Sequence, residues 1–177
     1  MNDSNNVFDI TCKVICGNSN GSAFLIKNDL IVTAYHVITE YFEKNKKILI
    51  EFENGLEYEA TPLTDLNTPV VVLKLSDKID KLIRPFGGFE LKENDSAKVY
   101  GFLSEKHSGD IVEVFVNRII NLTNEDIEFC NTLFIMHAND RIPDYSGLSG
   151  SPIMSNGNIV GMLIRQDKQA GIWQLKS

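Results

Sequence analysis

Short apolar runs, cut at roughly 8 to 12-residue intervals by Gly, Asn, Asp and Pro, extend along almost the whole chain. Apolar spacing of the helical kind never lasts much beyond about two turns. A chain patterned this way buries its apolar side chains in sheets, so the predicted fold class is all-β. Strands are predicted at Phe8 to Cys16, Ser22 to Ile26, Leu30 to Thr33, Ile48 to Glu53, Leu56 to Thr61 and Val70 to Leu75. Turns are predicted at Asn18 to Gly21 and Lys27 to Asp29, and Val37 to Glu43 has the spacing of a short helix. Asn54-Gly55 between two alternating runs marks a hairpin, because both residues tolerate the positive φ that tight hairpin turns demand. Val70 to Leu75 has no polar residue before Lys74 and is expected to be buried on both faces.

The stretch Lys78 to Glu93, with Pro85 and Gly87-Gly88, reads as a connection. Beyond it, strands are predicted at Ala97 to Leu103 and Asp110 to Asn121, joined through Ser104 to Gly109. Further strands fall at Glu128 to Ala138, Ser151 to Met154, Ile159 to Ile164 and Gly171 to Leu175. About six strands per half suit a pair of small barrels or a sandwich. At 177 residues the chain has room for one domain with a sizeable core or for two small barrels sharing an interface.

The formal charge of -7, without a large Lys/Arg cluster, argues against nucleic acid or an anionic membrane as partner. Lys44, Lys46 and Lys47 read as a solvated loop. Three cysteines, Cys12, Cys16 and Cys130, cannot all pair within the chain. Cys12 and Cys16 on one strand would stand roughly 13 Å apart, beyond disulfide reach. Reduced thiols are expected. The polar N-terminus and the lack of an apolar run near the ~20 residues of a membrane helix lead to a cytoplasmic expectation, and Met1 points the same way. His107 and His137 have no second His or Cys at zinc-site spacing, and there is no phosphate-binding glycine loop, so neither metal nor cofactor is expected.

Two stretches carry chemistry. In Gly147-Leu148-Ser149-Gly150-Ser151-Pro152 a serine stands between glycines that permit a tight turn, and Pro152 opens the next strand where no ladder N–H is needed. A serine hydroxyl is a weak nucleophile and needs a base within hydrogen-bond reach. His36, at the end of the apolar run Val32-Thr33-Ala34-Tyr35-His36-Val37, is the candidate base.

Together these stretches resemble the chymotrypsin-like (trypsin-like) serine peptidase family, of the bacterial type that needs no zymogen cleavage. Gly21-Ser22-Ala23-Phe24-Leu25-Ile26 leads to Thr33-Ala34-Tyr35-His36. Later, Gly147 to Pro152 leads through Asn156 to Asn158 into Ile159-Val160-Gly161. The resemblance runs from about Cys12 to Trp173. It implies two six-stranded antiparallel β-barrels with the active site between them, as one peptidase domain over residues 1–177. The N-terminal barrel would occupy about 7–80, the connection 81–94 and the C-terminal barrel 95–177. It also implies Ser149 as nucleophile, His36 as general base and then acid, and the N–H groups of Gly147 and Ser149 as the oxyanion hole. The specificity pocket would have its base at Pro143 and Asp144, its walls at Ile164, Arg165 and Gln166, and its floor at Gly171. Asp144 either attracts a basic side chain or stands in water.

The sequence departs from the family in two places. Pro69 stands where the family carries the Asp of its triad, and a proline side chain accepts no proton from His36. Asp65 as a displaced triad acid, Asn67, a backbone carbonyl, or no acceptor at all remain the alternatives. Leu148 stands where secreted members carry an Asp that pairs with a new N-terminus, so packing must hold the loop. The resemblance thus implies a serine endopeptidase acting on a protein or peptide. The alternative is a pseudo-peptidase that binds such a partner without cutting. The chain ends short of the family's closing helix, so a fused C-terminal domain or a regulatory partner is expected, an arrangement that suits a bacterial stress or defence protease by analogy.

Overall fold

A computed structural model describes residues 4–63, 68–81, 91–104, 108–121, 131–137, 146–167 and 172–176. The first half opens with helix α1 (Ser4–Ile10), followed by strands β1 (Thr11–Cys16), β2 (Ser19–Lys27) and β3 (Leu30–Ala34). A 3₁₀ turn (Tyr35–Ile38) and helix α2 (Thr39–Lys44) lead into β4 (Ile48–Phe52), β5 (Glu57–Pro62) and β6 (Val70–Leu75). These strands form a closed antiparallel barrel in the order β1-β2-β3-β6-β5-β4. The second half contributes β7 (Ser96–Gly101), β8 (Asp110–Asn121), β9 (Asn131–His137), β10 (Pro152–Ser155), β11 (Asn158–Asp167) and β12 (Ile172–Lys176). Its sheet runs β7-β8-β9-β12-β11-β10, the same permutation as the first. β10 meets β7 over two residue pairs, Ile153 with Val99 and Met154 with Lys98. The all-β expectation holds, as a closed six-stranded barrel and a second six-stranded sheet.

Alternation sets the inner face of the first barrel. Val14, Ile50, Val71 and Leu73 point inward and are buried, while Lys13, Leu49, Val72 and Lys74 on the same strands are not. Val70 to Leu75 is therefore not buried on both faces: Val71, Leu73 and Leu75 fill the barrel, Val70 and Val72 are half-covered, and Lys74 is exposed beside Asp29 at 3.8 Å. The Asn54-Gly55 hairpin forms as predicted, with the Gly55 N–H donating to the Phe52 carbonyl at 2.8 Å and the Asn54 side chain accepting from the Leu56 N–H at 3.2 Å.

The start of the predicted first strand is helical instead. Val7 and Ile10, three residues apart, both turn into the core. The carbonyls at the helix end have side-chain partners, which is what a helix stop requires. Thr11 donates its hydroxyl to the Val7 carbonyl at 2.7 Å, and the Lys81 ammonium donates to the Asp9 carbonyl while lying 4.9 Å from the centre of the Phe52 ring. Phe8 meets Tyr100 edge-on at 5.3 Å, so α1 straps the barrel to β7. The predicted turn at Asn18 to Gly21 is also shorter than expected: Gly17 and Asn18 make the turn, and β2 begins at Ser19.

Two cores result. One fills the barrel and continues into Tyr100, Met154, Ile159, Met162 and Ile164 of the second sheet, and the other, with Val99, Val112, Val114 and Ile153, fills the second sheet itself. Cys12 and Cys16 are buried free thiols, as expected of strand residues out of disulfide reach, and Cys130 lies outside the described residues. Lys44 pairs with Glu40 at 3.3 Å and Lys47 with Glu59 at 2.6 Å. Both lysines are more than half exposed, so the basic cluster is solvated as read.

Truncating Ile50 to Ala is expected to lower the unfolding free energy by about 2–5 kcal/mol in urea titration, because the cavity cannot fully collapse. Leu49→Ala, next to it and facing out, is expected to change it by about 0.5 kcal/mol or less. Burial pushes the Cys12 thiol far above its ordinary value, only partly offset by Lys81. Above the ordinary thiol range of about 8.5 the unfolded chain loses a proton that the folded chain keeps, so stability from this group is complete below that range and declines as pH rises. Urea midpoints from neutral to alkaline pH should show the decline in the native chain, with a shallower slope in Cys12→Ala.

Candidate active site

His36 is carried by the 3₁₀ turn that follows β3. Ala34 is still extended, with φ -81° and ψ 137°, and the chain bends directly after it. Val37 and Ile38 are buried and anchor the turn, while the side chain of His36 stands exposed. Thr39 donates its hydroxyl to the His36 carbonyl at 3.1 Å, closing the turn from the α2 side. Just before β6, the Pro69 carbonyl accepts the Tyr35 N–H at 2.9 Å. The backbone of Pro69 thus abuts the residue before His36, and no carboxylate is supplied at that position.

Ser149 is carried by a turn built on glycine. The Ser151 N–H donates to the Leu148 carbonyl at 2.9 Å, and Gly150 has φ +90° while Ser149 has a negative φ. That combination is a type II turn with Ser149 at its second position. Any side chain on Gly150 would be strained by the positive φ, and its Cβ would lie 1.9 Å from the Ser22 carbonyl oxygen. On the far side of the turn the Gly150 N–H donates to the Leu163 carbonyl at 2.6 Å, and the Leu163 N–H to the Ser151 carbonyl at 2.9 Å, tying the turn to β11. Pro152 opens β10, as predicted.

Four successive carbonyls around the serine are occupied. Ser146 accepts from the Ser104 N–H at 2.8 Å, Gly147 from the Ser22 hydroxyl at 2.8 Å, Leu148 from the Ser151 N–H, and Ser149 from the Ser22 N–H at 2.7 Å. In a trans peptide the N–H points opposite to the carbonyl of the same unit. The N–H groups of Gly147 and Ser149 are therefore turned away from these partners, and neither donates to an acceptor among the described residues. Two unclaimed, rigidly held N–H groups flanking a serine form an arrangement that can receive a negatively charged oxygen. Leu148 is fully buried, so packing helps to hold the loop at this position.

The two turns meet across Gly21. A Cβ built there would lie 2.5 Å from a Val37 methyl and 2.8 Å from the Ser149 carbonyl oxygen. The turn bearing His36 and the turn bearing Ser149 thus both close on the space that a side chain at Gly21 would fill, and the structure brings these two elements together. Asp65 and Asn67 lie outside the described residues, as do Pro143, Asp144 and Gly171 and the histidine at position 107. Arg165 and Gln166 are on β11, opposite Gln174 and Trp173 of β12, and Ile164 is buried in the core shared by the two sheets. A cavity of about 500 Å³ lies elsewhere, lined by Val7, Lys98, Tyr100, Glu113 and Met154 where α1 crosses β7 and β10.

The roles of Ser22, Ser104 and Asn20 escaped the sequence reading, in which Ser22 figured only as part of the run Gly21 to Ile26. The Ser22 hydroxyl accepts the Phe102 N–H at 2.9 Å and donates to Gly147, and Ser104 donates its hydroxyl to the Asn20 side chain at 2.6 Å. The local signal was confined to Ser22, a polar residue next to the apolar run Ala23 to Ile26.

Comparison with known proteins adds the family. The trypsin-like peptidase domain profile matches residues 21–162. "Serine protease HTR4" of Rattus norvegicus is 29% identical over 166 residues, covering 82% of this chain and 29% of the rat protein, so the chain spans less than a third of that relative. Among solved structures, the Rv3671c protease in its inactive form aligns with a TM-score of 0.80 at 17% identity, over 99% of this chain and 87% of its own. The HtrA-type protease AlgW with tripeptide gives 0.77 at 17% identity, over 99% and 58%. Likeness at such identities establishes the fold. The profile match spans most of the chain and all of both turns, and with it the chain belongs to the trypsin-like peptidase domain family.

Proposed function

We propose that this chain is a serine endopeptidase domain that cleaves a protein or peptide through an acyl-enzyme on Ser149, with the two sheets acting as the two barrels of the fold and the reaction between them. The observation that carries the reading is the turn at Ser149: the four carbonyls from Ser146 to Ser149 are engaged, and the N–H groups of Gly147 and Ser149, with no acceptor among the described residues, are left for the substrate.

In this mechanism the Ser149 hydroxyl oxygen bonds to the scissile carbonyl carbon as its proton passes to His36. The carbonyl oxygen becomes negative and is held by the N–H groups of Gly147 and Ser149, donors that need no reorganisation as charge develops. His36 then returns the proton to the leaving amine as the C–N bond breaks, leaving the acyl group on Ser149. Water, deprotonated by His36, attacks the ester, and the carboxylate product leaves as Ser149 regains its proton. The third member is displaced, with Asp65 the candidate, or absent. Loss of that group costs roughly 10⁴ in turnover in a related enzyme and still leaves measurable catalysis. Pocket roles for Pro143, Asp144, Ile164, Arg165, Gln166 and Gly171 belong to the same proposal. So does a regulatory partner or further domain, a reading that the much greater length of the rat relative supports.

A second reading has one observation in its favour. Pro69 stands at the usual acid's place in the sequence, and its carbonyl already accepts the Tyr35 N–H. A pseudo-peptidase using the cleft only to bind a peptide would need no acid there.

Labelling with a fluorophosphonate probe separates the two. The folded chain is expected to take up one label, lost in Ser149→Ala and slowed on the order of 10³-fold or more in His36→Ala. A folded chain without Ser149-dependent labelling would sink the peptidase reading and leave the binding one.

A further inference from the structure

We infer that Ser22 is a positioning residue that sets, from the opposite sheet, the direction of the peptide groups around Ser149; the inference rests on the peptidase reading. Ser22 is fully buried on β2. Its backbone N–H holds the Ser149 carbonyl at 2.7 Å, and its hydroxyl donates to the Gly147 carbonyl at 2.8 Å. One residue thus grips the chain on both sides of Leu148.

The hydroxyl has one proton to give, and the Phe102 N–H, arriving at 2.9 Å, fixes how it is given. An oxygen that accepts from Phe102 turns its proton elsewhere, and the Gly147 carbonyl is the acceptor it meets. Ser22 is itself held, because Thr33, on the strand that leads to His36, donates its hydroxyl to the Ser22 carbonyl at 2.7 Å. The Ser22 hydroxyl therefore links Phe102, the residue after β7 of the second sheet, through a first-barrel strand, to the loop that presents the nucleophile.

The bond matters because of what it restrains. Gly147 has φ +98° and no side chain, so the peptide after it can rotate with little steric resistance. Without the Ser22 proton, the Gly147 carbonyl would be a buried acceptor without a donor, and rotation toward the solvent-facing side would relieve it. The rotating unit joins Gly147 to Leu148 and lies between the peptide that carries the Gly147 N–H and the one that carries the Ser149 N–H, so its rotation changes the aim of one donor relative to the other. Ser104 holds the Ser146 carbonyl but leaves the next peptide free, so it cannot substitute for Ser22.

The test is the fluorophosphonate labelling rate of Ser149, resolved by probe concentration into a half-saturating concentration and a limiting rate. In folded Ser22→Ala the limiting rate is expected to fall on the order of 10²-fold, the scale of losing one oxyanion donor, with half-saturation unchanged. Ser22→Thr, which restores the hydroxyl, should recover most of it. Ser155→Ala, which removes a buried hydroxyl away from the loop, should label like the unaltered chain. A folded Ser22→Ala with a limiting rate near that of Ser155→Ala overturns the inference. Should Ser22→Ala fail to fold, Ser22→Cys, a poor donor of similar shape, takes its place, and equal rates for the Cys and Thr variants overturn it instead. The unaltered chain is measured first: if it is folded and unlabelled, the peptidase reading falls and this role falls with it, an outcome distinct from loss confined to position 22.

Discussion

Much of this molecule depends on the hydrogen bond from the Ser22 N–H to the Ser149 carbonyl, 2.7 Å long and running from one sheet to the other. Each sheet's ladders bond strand to strand within that sheet, so contact between the sheets comes from apolar packing, from a few backbone groups that the ladders leave over, and from side chains such as Ser22. Met154, Ile159, Met162 and Ile164 supply the packing, joining the barrel core rather than the interior of their own sheet. Packing of that kind resists separation but is tolerant of small slides. The Ser22–Ser149 bond is directional, and Gly21 and Gly150 let the two backbones approach to the distance it needs. The exposed His36 and the half-buried Ser149 stand on opposite sheets, so the precision of any chemistry between them is the precision of this joint.

How far the sequence foretold this depends on how local each determinant is. The Asn54-Gly55 hairpin and the turn from Gly147 to Pro152 were legible because a few adjacent residues decide them. Val70 to Leu75 was misread because a β-branched run does not reveal which face a neighbour covers, and Val70 and Val72 are only half-covered. Phe8 to Ile10 looked like strand by composition. What made it helix was tertiary: Thr11, Lys81 and Tyr100 satisfy its end and its side, and Lys81 lies 72 residues beyond Asp9. Ser22 is the clearest case. Its hydroxyl partners are 80 and 125 residues away, so no local pattern could assign it a role. Ser149 and His36 were singled out from their surroundings, and their proposed roles rest on that, whereas Asp65 and the pocket base at Pro143 and Asp144 lie outside the described residues.

Pro69 shifts the balance within the proposed mechanism. In a full triad, charge separation in the transition state is stabilised at both ends: a carboxylate behind the imidazolium, and N–H donors around the oxyanion. Here Pro69 stands at the usual acid's place in the sequence, and its backbone offers a neutral carbonyl already engaged by the Tyr35 N–H. A second acceptor role for it is open, since a carbonyl has two lone pairs, but a dipole offsets less of a positive charge than a carboxylate does. Whatever stabilisation the cationic end lacks, the anionic end must supply, and it can do so only if its two N–H groups are already aimed. The dense set of bonds on the carbonyls of Ser146, Gly147, Leu148 and Ser149 has that effect. In a chain with Pro69 at this position, the loop that presents the nucleophile therefore carries a larger share of the rate than it would in a chain with an aspartate, and damage to its support should be felt more in the limiting rate than in binding.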